Sequence, residues 1–366
     1  MNIGITTFQW ANNYGALLQA HALQIFLRSR GHEVQIVDYR GRQPTKGIKK
    51  WISTSIVGCI YKWEAAYREY LFDHFRRNYL IRTHEIFYST TDLERIADKF
   101  DLLITGSDQV WNPIFLAEIT GLSELYFLSF AGKNTRKISY AASFGHSTKK
   151  TIEPKWQKIL AEKLLSIDAI SVREASGVGL VNSICGRTDA VNVVDPTLLL
   201  DRSYYEKIAK SNIKRQKYLF SYMLHELDEN AEKFNKQIAM LLNLQTLKCD
   251  AITTGIHKPY TLPSPTNLLN LIRNASFVVT NSFHGVVFCL LFHTPFIAIT
   301  IDSSIGAMNS RIVELLSSLG LTHRICIPQA EVPVEIYREE IQWSDIDNLL
   351  DKMRVESIKY FNSQGL

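Results

Sequence analysis

The sequence predicts an α/β protein of two doubly wound, Rossmann-like domains closed by a C-terminal helix. Three observations predict it. Short apolar runs rich in β-branched residues alternate with helix-period segments along the chain, the order expected of parallel sheets with helical crossovers. Several of those runs stop at small polar or glycine-containing clusters, which form the ligand-facing ends of strands in such sheets. The length of 366 residues exceeds the roughly 250–300 at which one hydrophobic core stops growing, so two domains are expected.

The first unit reads strand, loop, helix, strand. Ile3 to Phe8 make the strand, Asn12-Asn13-Tyr14-Gly15-Ala16 the loop, and Leu17 to Ser29 a helix with Leu18, Ala22, Ile25 and Phe26 at helical spacing. Gly31 caps that helix, and Val34 to Asp38 form the next strand. No Gly-x-Gly-x-x-Gly accompanies the unit, so no dinucleotide site is signalled. Asn12, Asn13 and Gly15 read equally as turn chemistry and as a ligand loop.

The texture changes between Lys46 and Tyr79. Trp51, Trp63, Tyr67, Tyr70, Phe72 and Phe75 stand among Lys49, Lys50, Lys62 and the pair Arg76-Arg77. A helical insertion packed on the first domain is favoured, because aromatic stripes are usually core. The competing reading is a surface that lies on a membrane interface.

Asp101 to Thr105 is a buried strand running into Gly106-Ser107-Asp108-Gln109-Val110-Trp111. Lys137 to Ala142 is the next, followed by Ser143-Phe144-Gly145-His146, and a helix spans about Glu153 to Leu165. Arg173 sits just past the strand that follows. Its guanidinium suits a two-pronged clamp on a carboxylate or phosphate, and equally an ion pair with Glu174. Val191 to Thr197 closes this half, with Asp195-Pro196 read as a turn.

The second half repeats the alternation after a charged, irregular stretch from Leu200 to Arg215. Strands are expected at Tyr218 to Met223, Leu247 to Ile252, Phe277 to Asn281 and Phe296 to Ile301, and helices at Asn230 to Leu242, Asn267 to Asn274 and Ser310 to Leu319. Trp343 to Phe361 is periodic enough for a terminal helix. The expected division is 1–202 with its insertion around 46–80, then 203–335, then a helical tail over 336–366.

The stretch on which function is expected to turn is Ser276 to Phe288. A buried strand stops at Asn281-Ser282, a His284-Gly285 pair follows, and apolar residues resume. A titratable histidine at a helix start, among free backbone N–H groups, suits an anionic substrate. A capping or core-edge histidine is the bland alternative.

Composition bounds the partners. With 46% hydrophobic and 21% charged residues the chain is ordinary globular protein. A net charge of +5 is too mild and dispersed for a nucleic-acid binder. The 5 cysteines form no Cys-x-x-Cys pair, and the 10 histidines no helical His-x-x-x-His, so reduced thiols and no metal are expected. The chain opens on a strand pattern and has no apolar run of the 18 or so residues that a span needs. A cytoplasmic protein is expected, with peripheral contact at the inner membrane face as a further expectation.

Six runs occur in order: Asn12 to Ala16 with Gln19 and Ala20, Thr105 to Trp111, Tyr140 to Gly145, Ser171 to Glu174, Val194-Asp195-Pro196-Thr197, and Asn281 to Gly285. Together they make the chain resemble the polysaccharide pyruvyl transferase family. The resemblance implies a GT-B-like pair of domains with the active site between them. It implies transfer of pyruvate from phosphoenolpyruvate, as donor substrate and without a cofactor, onto two hydroxyls of a sugar; a lipid-linked acceptor is a further expectation, matched to the basic aromatic segment. His284 and Arg173 are the expected catalytic pair. Asn281, Ser282, Gly285 and Arg311 fall to the donor, and Asn12, Asn13, Tyr14, Gly106, Ser107 and Asp108 to the acceptor or the cleft.

One departure stands out. Better-known members carry Arg-Leu-His-Gly where this chain has Ser282-Phe283-His284-Gly285, so a donor-binding cation must come from elsewhere. Arg311 and Lys258 are candidates by position, each set against an ordinary surface charge. Two rival functions remain at this point, a sugar-nucleotide glycosyltransferase of similar architecture and a non-catalytic sugar-binding member of a polysaccharide assembly system.

Overall fold

The computed structural model describes residues 1–40, 56–118, 121–145, 147–209, 217–224, 229–250, 261–300, 310–328, 332, 337 and 339–366. Lys49, Trp51, His146 and Lys258 lie outside them.

Two parallel sheets carry the chain. The first has the order β2-β1-β3-β4, from β1 (Asn2–Thr6), β2 (Glu33–Ile36), β3 (Leu102–Thr105) and β4 (Arg136–Ser139). A parallel pair, β5 (Ser171–Val172) with β6 (Val191–Asn192), continues it through bridges from Ile138 to Ala169 and from Ala142 to Val172. The second sheet has the order β11-β10-β9-β7-β8, from β7 (Tyr218–Met223), β8 (Gln245–Asp250), β9 (Phe277–Thr280), β10 (Phe296–Ile299) and β11 (Ile325–Cys326). β3, β7, β9 and β10 are buried along their whole length, which is why they read as continuous apolar runs.

The longer helices are α1 (Tyr14–Ser29), α2 (Ile56–Tyr79), α3 (Pro154–Leu165), α4 (Ala175–Cys185), α5 (Arg202–Ile208), α6 (Glu229–Leu241), α7 (Pro265–Asn274), α8 (Phe283–Phe292), α9 (Ser310–Ser318) and α10 (Trp343–Ser363), of which α4 was not expected and α5 stands in the stretch read as irregular. Helix α1 starts earlier than its apolar spacing suggests, because Asn13 caps it by accepting from the Ala16 N–H at 3.2 Å. Several strands end one to three residues short of the apolar run, where the chain turns toward the cleft.

The order of each sheet places a topological switch between β1 and β3 and another between β7 and β9, where crevices for ligands form. The halves are tied together beside these points. Tyr14 on α1 donates its hydroxyl to Pro263 O at 2.9 Å, and the Tyr205 ring of α5 meets Phe288 at 5.1 Å. Helix α10 returns to the first half. Phe361 stacks on Tyr140 at 4.4 Å, and Tyr360 donates to Ser139 O at 2.8 Å.

Helix α2 packs one face on the first half through Phe72 and Phe75, both 1% exposed, as the insertion reading expects. The opposite face leaves Trp63, Tyr67 and Tyr70 at 71%, 43% and 63% exposure.

Candidate active site

Residues from both switch points line one cleft of ≈ 390 Å³. Trp10 and Asn13 come from the loop after β1, Asp108 from the loop after β3, Leu224 from the end of β7, and Ser282 and His284 from the loop after β9. Phe8, Phe115 and Trp10 give the first half's wall an aromatic surface, with Trp10 Nε1 donating to the Tyr126 hydroxyl at 3.3 Å. Arg311 closes the other wall.

The loop after β9 is built by its own side chains. Thr280 Oγ1 donates to Tyr222 O at 2.6 Å and accepts from Ser282 N at 3.0 Å. Asn281 Oδ1 accepts from Leu224 N at 2.7 Å, tying this loop to the end of β7. Ser282 is the N-cap of α8 and accepts from Gly285 N at 3.2 Å. The serine at the departure from the family pattern therefore caps a helix while facing the cleft. His284 follows in the first turn.

Gly15 explains why the opposite helix can come so close. A Cβ on Gly15 would stand 2.0 Å from His284 Nδ1, so the imidazole rests against bare backbone at the start of α1.

A buried carboxylate organises the site. Asp195, 1% exposed, has Oδ2 at 3.0 Å from Arg173 Nη1, 3.2 Å from Ser107 Oγ and 3.5 Å from His284 Nε2. Its Oδ1 accepts from Thr197 N at 3.0 Å and Thr197 Oγ1 at 2.7 Å. The approach to His284 is close enough for charge to act but is not aligned as a hydrogen bond. Burial pushes the Asp195 carboxyl up, and the His284 imidazole and Arg173 guanidinium outweigh it, holding the group well below the usual carboxylate range.

Arg173 is buried against three acids. Nε donates to Glu174 at 2.9 Å, Nη1 to Asp195, and Nη2 lies 3.8 Å from Asp108 Oδ1 without a hydrogen bond. Burial works against its charge, but Glu174, Asp195 and Asp108 raise its pKa further above the ordinary arginine value. The ion-pair reading of Arg173 holds, with Glu174 and Asp195 as partners, and Nη2 is left without a hydrogen bond.

Arg311 is the second cation. It is 6% exposed, not a surface charge, and its Nε has no hydrogen-bond partner among the described residues. Both guanidiniums lie against the Phe283 ring, Arg173 at 4.8 Å and Arg311 at 5.9 Å. Burial and the charge of Arg173 pull the Arg311 pKa down. Asp108, Glu174 and Asp195 offset part of the cost of the two like charges, and the N–H groups left unmet can take an anion.

Not every expected residue faces the cleft. Asn13, Asp108, Ser282, His284 and Arg311 do, whereas Arg173 lines the adjoining cavity that it shares with Arg311 and Phe283. Asn281 and Gly285 serve the loop itself, and Gly106 and Ser107 lie buried, Ser107 supporting Asp195. Gly106 has φ +115, and a Cβ there would meet Tyr140 O at 2.2 Å. Tyr14 is spent on Pro263, and Asn12 turns to α2, donating to Glu69 Oε2 at 2.6 Å. Arg76 of α2, 2% exposed, grips the same loop, donating to Gln9 O at 2.9 Å, Trp10 O at 2.9 Å and Asn12 Oδ1 at 2.7 Å. The insertion thereby shapes the acceptor-side wall.

Asp195, Phe283 and the aromatic wall were not singled out by the sequence reading as site residues. The only signal for Asp195 was its place in the Val194-to-Thr197 run.

The fold is of GT-B type, two Rossmann-like domains with a cleft between them. The model of the polysaccharide pyruvyl transferase family matches residues 13–303, and the chain belongs to that family. A search of curated proteins finds no match. Among solved structures, the S. aureus MnaA–UDP complex is similar, at TM-score 0.52 and 11% identity, over 97% of this chain and 91% of that one. UDP-GlcNAc 2-epimerase from Neisseria meningitidis bound to UDP-GlcNAc aligns at TM-score 0.52 and 8% identity, over 98% of this chain and 100% of that one. At such identities the likeness speaks for the fold alone.

Proposed function

We propose that the protein transfers pyruvate from phosphoenolpyruvate onto two hydroxyls of one sugar, forming a cyclic ketal and releasing phosphate. The observation that carries this is the grouping of His284 and Arg173 on Asp195, beside the unmet N–H groups of Arg173 and Arg311. A small, highly anionic donor suits those groups, each charge-assisted hydrogen bond contributing about 1.5–3 kcal/mol.

In this reading His284, protonated, gives its proton to C3 of the donor, and C2 becomes electrophilic. One sugar hydroxyl attacks C2 and loses its proton to Asp108, which faces the cleft. The C2–O bond to phosphate breaks, the second hydroxyl closes the ring, and its proton leaves with phosphate. General acid work of this kind contributes on the order of 10²–10⁴-fold. The sugar ring lies on Trp10 and its aromatic neighbours, whose flat faces suit the C–H face of a pyranose. No step requires a cofactor.

A lipid-linked acceptor gives the exposed face of α2 a purpose. Trp63, Tyr67 and Tyr70 are nearly parallel, at 15° and 21°, on a helix that also holds the cleft loop through Arg76. Amphipathic aromatic rings of this type favour a lipid interface. No helix of the described residues is long and apolar enough to cross a membrane.

The UDP-bound structural neighbours keep a sugar-nucleotide donor as the competing reading. Incubation with phosphoenolpyruvate and with UDP-sugars, each with cell-surface glycan, separates the two. Phosphate release that requires phosphoenolpyruvate and His284 supports the proposal. UDP release overturns it, and glycan binding without release from either donor favours a non-catalytic role.

A further inference from the structure

Helix α4 begins directly after Arg173-Glu174, and its N-cap, Glu174, makes no side-chain capping bond. The cap comes from the other half of the molecule. Ala175 N donates to Glu314 Oε1 on α9, with Ser176 beside it drawing the carboxyl's pKa down. A carboxylate at a helix N-terminus is favoured by the unpaired N–H groups and by the helix dipole. Burial raises the Glu314 pKa, and the α4 amides oppose that rise.

Glu314 stands one turn along α9 from Arg311. Both line a cavity of ≈ 390 Å³ beneath Phe283, together with Arg173, Met353 and Ser357. Arg311 needs such an anchor. It is buried beside a like charge, and burial and Arg173 both weigh against it. Asp108, Glu174 and Asp195 attract it from the first half, and the Glu314 cap adds a direct hydrogen bond from α4 to α9.

We infer that Glu314 is a positioning residue: by capping α4 it docks α9 across the domain interface and holds Arg311 opposite Arg173 for one anion. The affinity half of this inference rests on the donor proposed above. The docking half does not.

The test joins two readouts. Amide exchange of the segment Ala175 to Leu180 and of α9, without any ligand, reports docking. Calorimetric titration with phosphoenolpyruvate reports the consequence. Glu314→Ala is expected to speed exchange in both segments and to weaken phosphoenolpyruvate about five- to thirtyfold. Glu314→Gln, which keeps an acceptor oxygen without the charge, falls between. In an Arg311→Ala background Glu314→Ala adds little, because its effect runs through Arg311. Unchanged exchange in Glu314→Ala overturns the docking, and additive losses overturn the route through Arg311. If the unaltered protein takes up no phosphoenolpyruvate, the donor reading falls instead and the exchange result alone decides the docking.

Discussion

Asp195 Oδ2 lies 3.5 Å from His284 Nε2, joining the end of the first domain's last loop to the first turn of a second-domain helix. The same oxygen takes Arg173 at 3.0 Å. One buried carboxylate therefore holds the proposed clamp by a hydrogen bond and faces the proposed acid with its charge.

Asp195→Asn keeps the shape and removes the charge. Turnover, followed as phosphate release, is expected to fall on the order of 10²–10⁴-fold, the worth of a correctly placed general acid. Far-UV circular dichroism should be unchanged. A near-normal rate would show that His284 needs no carboxylate.

The fold was legible because it is written locally. Buried parallel strands read as apolar runs at β3, β7 and β9, and Gly31 marked a helix end, whereas the Asn13 cap was not read as one. The His284 loop was legible for the same reason, a strand stopping at small polar residues. Asp195 was not, because a turn-forming Asp-Pro looks the same whether its carboxylate meets water or three partners distant in sequence. Arg311 gave no sign of burial, since Phe283 reaches it only through the packing of α8 beside α9, and Arg173 only through the docking of two domains. Tyr14 and Asn12 carry ligand-like chemistry, and only tertiary contacts show that Pro263, Glu69 and Arg76 already use it. Helix α2 hid two aromatic faces in one stripe, one packed and one exposed.

Gly15→Ala tests the closeness of the two halves. The added methyl would meet the His284 ring at 2.0 Å, an overpacking that costs about 1–3 kcal/mol. A lowered urea midpoint together with lost phosphate release is expected. An unchanged rate would mean that His284 is free to move without loss.

His21 links α1 to Tyr79 O at 2.8 Å and to the Tyr204 hydroxyl at 2.6 Å. Burial lowers its pKa from 6.5 to about 4. The unfolded chain therefore binds a proton that the native state refuses as pH falls through this window. Stability is complete above about pH 6.5 and drops by about 3 kcal/mol toward pH 4 on account of this group. Urea unfolding at pH 7 and pH 5 checks this, and His21→Phe should flatten the difference. An equal slope in the variant would assign the loss to other groups.

Co-sedimentation with vesicles reads the exposed face of α2. The protein is expected to pellet with phosphatidylcholine–phosphatidylglycerol vesicles. The variant with Trp63, Tyr67 and Tyr70 all changed to Ser should remain in solution with its fold intact. Equal recovery of both in the supernatant would remove the lipid contact, and dimerisation lost in the variant would assign the face to a second copy.

Titration of phosphoenolpyruvate into the unaltered protein and into Arg311→Ala tests the central claim without knowledge of the acceptor. Saturable binding, weakened about tenfold or more by the loss of one charge-assisted contact, is the predicted result. No binding of phosphoenolpyruvate by the unaltered protein, or equal affinity in the two, would contradict the donor site described here.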